Sequence, residues 1–128
     1  MADCNGCMVI CNRIVENVDT GIEVESLTGA RIVANTVRGN GDDGIDLQGE
    51  EADGNRVHGN KTIGNADNGI VVDAGSTGNH FAGNQATGNP GLDLEDVNLP
   101  ANPCPNTWRG NVFVTDNEGN GPGAGCIR

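Results

Sequence analysis

The sequence predicts an all-β chain wound as a parallel β-helix, a solenoid of about five coils. Three observations carry this. Gly occurs 21 times and Asn 18 times in 128 residues, while Trp, Tyr and Phe together number three, too few rings to fill an ordinary globular core. Short alternations such as Ile45-Asp46-Leu47-Gln48 have the period of two that belongs to a strand. These bursts return every ~24 residues, all running in one direction. Strands related in that way cannot pair as hairpins. They stack, each on its equivalent one coil further on, at the strand spacing of ~4.8 Å.

The elements follow in order within each coil. An apolar residue comes first: Val9, Ile32, Val57, Phe81 and Trp108. Three residues on stand Asn12, Asn35, Asn60, Asn84 and Asn111, at steps of 23, 25, 24 and 27. Five further on come Asn17, Asn40, Asn65, Asn89 and Asp116. A third strand then opens on glycine: "GIEV" at 21–24, "GIDL" at 44–47, "GIVV" at 69–72 and "GLDL" at 91–94. A mere bias toward Gly-Asn pairs would not hold these columns in register. Corners account for the composition, because Gly and Asn tolerate left-handed backbone. Asn carries both an amide donor and an acceptor, so the column from Asn12 to Asn111 is expected to form a buried ladder. Cys11, Ala34, Gly59, Gly83 and Gly110 form a column of small residues, expected at a tight interior bend. Residues 1–95 are read as the coils, and 96–128 as the last coil and a C-terminal cap of the same domain.

Charge narrows the function. A net charge of −11 argues against nucleic acid, whose binders need a basic face, and against anionic membranes. No apolar run approaches the ~18 residues of a transmembrane helix. The start, Met1-Ala-Asp-Cys4, is not a signal peptide, so either the protein is intracellular or its export signal lies outside this chain.

The patterns "GIxL" and "GNxVxGN" resemble the right-handed parallel β-helix repeat of the pectin lyase-like group, over roughly residues 5–117. The tail "CPNTWRGNVFVTDNEGNGPGAGCI" resembles the closing coil of secreted bacterial proteins built from such repeats. That resemblance implies a disulfide between Cys104 and Cys126, and with it a secreted or cell-surface location. It is specific for fold and poor for function, since enzymes and inert scaffolds share the fold.

Candidate sites divide by face. Gly41-Asp42-Asp43 resembles the Gly-Asp-Asp of the polygalacturonase family, and Asn17-Val18-Asp19 matches its Asn-Thr-Asp in part. The Gly-His-Gly expected a coil later is missing, since the chain reads Gly64-Asn65-Ala66, and the Arg-Ile-Lys is missing too. The Asp19, Asp42 and Asp43 set is therefore read as a corner, with a polysaccharide hydrolase or lyase as the alternative. Asp19, Asp42 and Asp67 share a column and are candidates for Ca²⁺, which takes oxygen ligands in loose geometry. Glu23, Asp46 and Asp93, with Glu25, Asp73 and Glu95 two places on, are read as an outward acidic stripe. Arg31, Arg56 and His80 form a basic column able to meet the carboxylates of an acidic polysaccharide. Cys4, Cys7 and Cys11 lack a fourth ligand for a metal cluster, and Cys11 is read as a buried apolar cysteine.

The functional reading is a non-catalytic β-helix repeat module of a secreted or surface protein, carbohydrate-associated, with a self-associating scaffold as a further alternative. The N-terminal end starts in strand-like sequence, so the expectation is either that a natural N-terminal segment precedes this chain, a fragment of a longer one, or that two copies pair through that end as a homodimer.

Overall fold

A computed structural model describes residues 5–119, 121 and 124–128. It is a parallel β-solenoid with no helix among those residues. Sheet A stacks β1 (Met8–Ile10), β4 (Arg31–Val33), β7 (Arg56–His58), β10 (His80–Ala82) and β13 (Thr107–Arg109). Sheet B stacks β2 (Arg13–Val15), β5 (Thr36–Arg38), β8 (Lys61–Ile63) and β11 (Gln85–Thr87). Sheet C stacks β3 (Ile22–Glu25), β6 (Ile45–Gln48), β9 (Ile70–Val72) and β12 (Leu94–Asp96). The expected five coils are about four full turns, because only sheet A has a fifth strand.

Strands of three or four residues are too short to be stable alone, so the stack is what holds them. Sheet A points one residue per strand inward, and Val9, Ile32, Val57, Phe81 and Trp108 align as the periodicity predicts. Phe81 and Trp108 stack with ring centroids 3.8 Å apart, and both are buried. Sheet C contributes the parallel columns Ile22–Ile45–Ile70–Leu94 and Val24–Leu47–Val72. The core is thus a set of slim columns, one residue thick.

The predicted Asn ladder is present. Asn60 Nδ2 donates to Asn84 Oδ1 (3.1 Å) and to the carbonyl of Ile32 (2.8 Å), while its backbone N–H also donates to Asn84 Oδ1 (2.9 Å). Its own Oδ1 accepts from the N–H and Nδ2 of Asn35 at 2.9 and 3.0 Å. Both Nδ2 hydrogens and both Oδ1 lone pairs are therefore used, which is how a fully buried amide escapes a desolvation cost. Asn17, Asn40, Asn65 and Asn89 form a second ladder of the same kind. A third runs Asn55–Asn79–Asn106.

Four local expectations need correction. The column of Asn17, Asn40, Asn65 and Asn89 does not continue to Asp116: the N–H and Nδ2 of Asn89 both donate to Asp93 Oδ1, at 3.3 and 3.0 Å. Asp93 is buried, not part of an outward stripe, because Leu94 pairs with Ile70 and puts Asp93, not Gly91, in register with Gly69. The column from Cys11 to Gly110 is an outer corner, not an interior bend: its members all have left-handed φ, from 55° at Ala34 to 64° at Gly59 and Gly110. Cys11, at φ 58°, is exposed and not the buried apolar cysteine expected, since the left-handed residue breaks the in-out alternation of the strand. Cys7 is disulfide-bonded, which removes it as a metal thiolate. Cys4 lies outside the described residues.

The glycine column and the second ladder require each other. A Cβ on Gly44 would lie 2.7 Å from Asn65 Nδ2 and 2.5 Å from the Gly69 carbonyl, and one on Gly69 would lie 2.7 Å from Asn89 Nδ2. One coil further on, no fifth Asn follows, and the side chain of Asp93 enters and supplies the missing oxygen. The C-terminal segment closes the first ladder: Asn111 Nδ2 donates to the main-chain oxygen of Arg128 at 2.7 Å. The third is closed by Asp96 Oδ2, which accepts from Asn106 Nδ2 and Trp108 Nε1 at 3.0 and 3.2 Å. Cys104 and Cys126 are joined by the expected disulfide.

Asn60→Leu should be among the most damaging single changes. It leaves the buried Asn35 amide, Asn84 Oδ1 and Ile32 carbonyl each short of a partner, at ~1–3 kcal/mol apiece. Thermal melting should show a large drop for Asn60→Leu and a far smaller one for Asn12→Leu, because Asn12 is exposed.

Candidate functional site

The outward face of the rod is sorted by charge. Six of the seven Lys and Arg residues lie on strands of sheets A and B: Arg13, Arg31, Arg38, Arg56, Lys61 and Arg109. Those two sheets carry no Asp or Glu, and the strands of sheet C carry no Lys or Arg. Two candidate surfaces result.

The acidic surface lies on sheet C and the corner before it. Register aligns Glu23, Asp46, Val71 and Glu95 as one outward column. Glu95, expected two places further along, belongs here. The corner brings carboxylate oxygens of Asp42, Asp43 and Asp67 within 4.8 Å of one another. Asp19 does not join them; it is exposed, and its Oδ1 accepts from its neighbour's N–H at Thr20 (3.1 Å). Asp43 is a structural member of the corner: its Oδ1 accepts from the Asn68 N–H at 2.8 Å, and Asn68 Oδ1 accepts from the Leu92 N–H at 2.8 Å. Of the adjacent acids Asp42 and Asp43, one is thus engaged by the fold. The oxygens of Asp42, Asp43 and Asp67 are ligands of the type that Ca²⁺ takes.

Asp46 is the unusual group. Its Oδ1 is buried and has no hydrogen-bond partner among the described residues. Burial, with the nearby charges of Asp73, Asp43, Glu23 and Asp42, pushes its pKa up to about 7. Burial also raises Asp43, partly offset by the bond from Asn68, and raises Glu95, with Asp43, Asp67 and Asp73 adding repulsion. The sequence placed Asp46 in an outward stripe but held no sign of its burial.

The basic surface is sheet A. Arg31, Arg56 and His80 stand in one register column, as expected, followed by Thr107. All three are exposed. The neighbouring outward column is Ile10, Val33, His58, Ala82 and Arg109. Between His58 and Arg109 lies a hollow of about 350 Å³, lined by His58, His80, Phe81, Ala82, Thr107 and Arg109. His58 was not singled out as a basic-face residue by the sequence; its place in the column beside Arg31–Arg56–His80 could have been read from the "RVH" register.

Stacked coils, amide ladders and a closing disulfide define a β-helix repeat protein. The chain belongs to the right handed beta helix region family, whose model matches residues 1–86. No curated protein matches the chain, and no solved structure does. The disulfide is compatible with an extracellular location.

Asp46 sets a pH dependence. Between its ordinary 3.8 and about 7 the folded protein keeps a proton that the unfolded chain has released, so stability falls as pH rises through that window. Asp46→Asn should remove this fall. Melting temperatures should show Asp46→Asn more stable than the wild type at pH 8, with the difference shrinking toward pH 4.

Proposed function

We propose that the chain is a non-catalytic β-helix module of a secreted or surface protein, which binds an acidic polysaccharide along the outward face of sheet A. The observation that carries this reading is the register column Arg31–Arg56–His80, one basic group on each of three successive coils of a sheet whose strands carry no carboxylate. A carboxylated glycan presents its charges as a regular row, and a row of cations fixed at the strand spacing of ~4.8 Å meets it without ordering a loop. Sheet C carries the acidic strands, so the polymer is repelled from that side of the rod.

Binding should be salt-dependent, because screening weakens exposed charge pairs. Polygalacturonate binding, followed by calorimetry at low and moderate salt, should weaken about tenfold in Arg56→Ala, equivalent to ~1.4 kcal/mol. Arg13→Ala, on sheet B, should leave it unchanged. Equal binding by both variants, or none by the wild type, would reject the assignment.

A second reading is a polysaccharide hydrolase or lyase at the acidic corner. Asp46 favours it, since a carboxyl that keeps its proton near neutral pH beside the Asp42–Asp43 pair is the combination that acid–base cleavage of a glycosidic bond uses. Under this reading, incubation with acidic and neutral polysaccharides releases reducing ends or unsaturated products, and the release disappears in both Asp46→Asn and Asp42→Asn.

A further inference from the structure

The hollow on sheet A has a specific cause. In the outward column His58–Ala82–Arg109, a methyl group stands between two long side chains, each one coil away. With coils ~4.8 Å apart, His58 and Arg109 flank a notch about two strand spacings long, and Ala82 is its floor. Phe81, whose ring points inward to stack on Trp108, contributes backbone to the floor and keeps it rigid. His80 and Thr107 form the side wall.

The chemistry of the wall is one-sided. Arg56 lies on the same strand as His58, His80 and Arg109 lie on the next two, and Arg31 precedes Arg56 in its column. None of these is ion-paired with a carboxylate among the described residues. His58 Nε2 is buried and has no hydrogen-bond partner among them. Arginine side chains without carboxylate partners beside a gap of this size suit a single anion.

We propose that the notch over Ala82 is a subsite for one carboxylate of the polysaccharide, held by the Arg109 guanidinium and the His58 imidazole. This rests on the reading of sheet A as the binding face and adds where along that face the chain is registered. A guanidinium meets a planar carboxylate through two parallel N–H donors, which orients the sugar ring as well as attracting it. Thr107 offers a hydroxyl to the second carboxylate oxygen or to a ring hydroxyl. In the free protein, burial and the charges of Arg56 and His80 hold the His58 pKa below its ordinary value. A bound carboxylate supplies the opposite charge, so occupation of the notch raises it.

The test uses NMR titration of the histidine side chains together with calorimetry, on the whole chain. The ligands are polygalacturonate, dextran sulfate and the single galacturonate ion. Polygalacturonate should raise the titration midpoint of His58. Ala82→Leu, which fills the notch without changing charge, should abolish that shift and weaken binding about tenfold, as loss of a charge-assisted contact predicts. His58→Gln should weaken binding similarly if the leucine variant proves unstable, and Lys61→Ala on sheet B should change neither quantity. If Ala82→Leu and His58→Gln bind the polymer as the wild type does, the notch is rejected while the basic face stands. If the polymer fails to bind but galacturonate alone moves His58, and Ala82→Leu prevents this, the notch stands without the face. If only dextran sulfate moves His58, the assignment of a carboxylate is overturned. If no ligand moves it, both are rejected.

Discussion

Everything in this solenoid depends on the hydrogen bond that an asparagine side chain makes to the asparagine one coil later. Turning a chain through a corner strips backbone groups of their sheet partners, and in a rod this narrow those groups are buried. The side-chain amide solves the problem locally. Its oxygen receives both the N–H and the Nδ2 of the preceding rung, and its own Nδ2 reaches back to a strand carbonyl, as Asn84 does to Val57 at 2.8 Å. Asn is the shortest side chain that carries two N–H donors and a separate acceptor oxygen, which is why Asn and Gly displace the large apolar residues of an ordinary core.

The ladder then dictates the residues around it. It demands glycine at 21, 44 and 69, because a Cβ on each would come within 2.8 Å of an amide nitrogen of the ladder. It also gives the rod a direction. At the C-terminal end each ladder meets an oxygen from outside the repeat: Arg128, Asp93 or Asp96. At the other end Asn12 and Asn17 present Oδ1 atoms that accept nothing among the described residues.

Much of the fold was legible because register is a strong signal. Phe81 over Val57, and Asn84 over Asn60, are separated by the same 24 residues in the sequence and in the structure. What misled was identity taken over register. "GLDL" copies "GIDL" in letters, yet its glycine sits two places early, and the step of 22 where the Asn columns step by 24 was the sign. The third ladder went unseen because its position is Ala30 one coil before Asn55, whose Oδ1 accepts the Ala30 N–H at 2.8 Å. Alternation carried past the end of β1 put Cys11 inside, although the left-handed corner turns it outward. At the candidate sites, the basic column could be read directly. The notch over Ala82 and the burial of Asp46 could not, because both depend on what neighbouring side chains leave empty or cover.

The ladders also decide how the molecule answers a pull. Their bonds, like those of the sheets, lie along the rod axis, and the first and last strands sit at opposite ends of it. Tension applied through those strands falls on one coil boundary at a time, so the rod unwinds from an end like a thread from a spool. A shear-loaded sheet, by contrast, must break all its bonds together. The terminal rungs then act as the catch: once Asp93, Asp96 and the C-terminal oxygen let go, each further coil meets the same modest resistance.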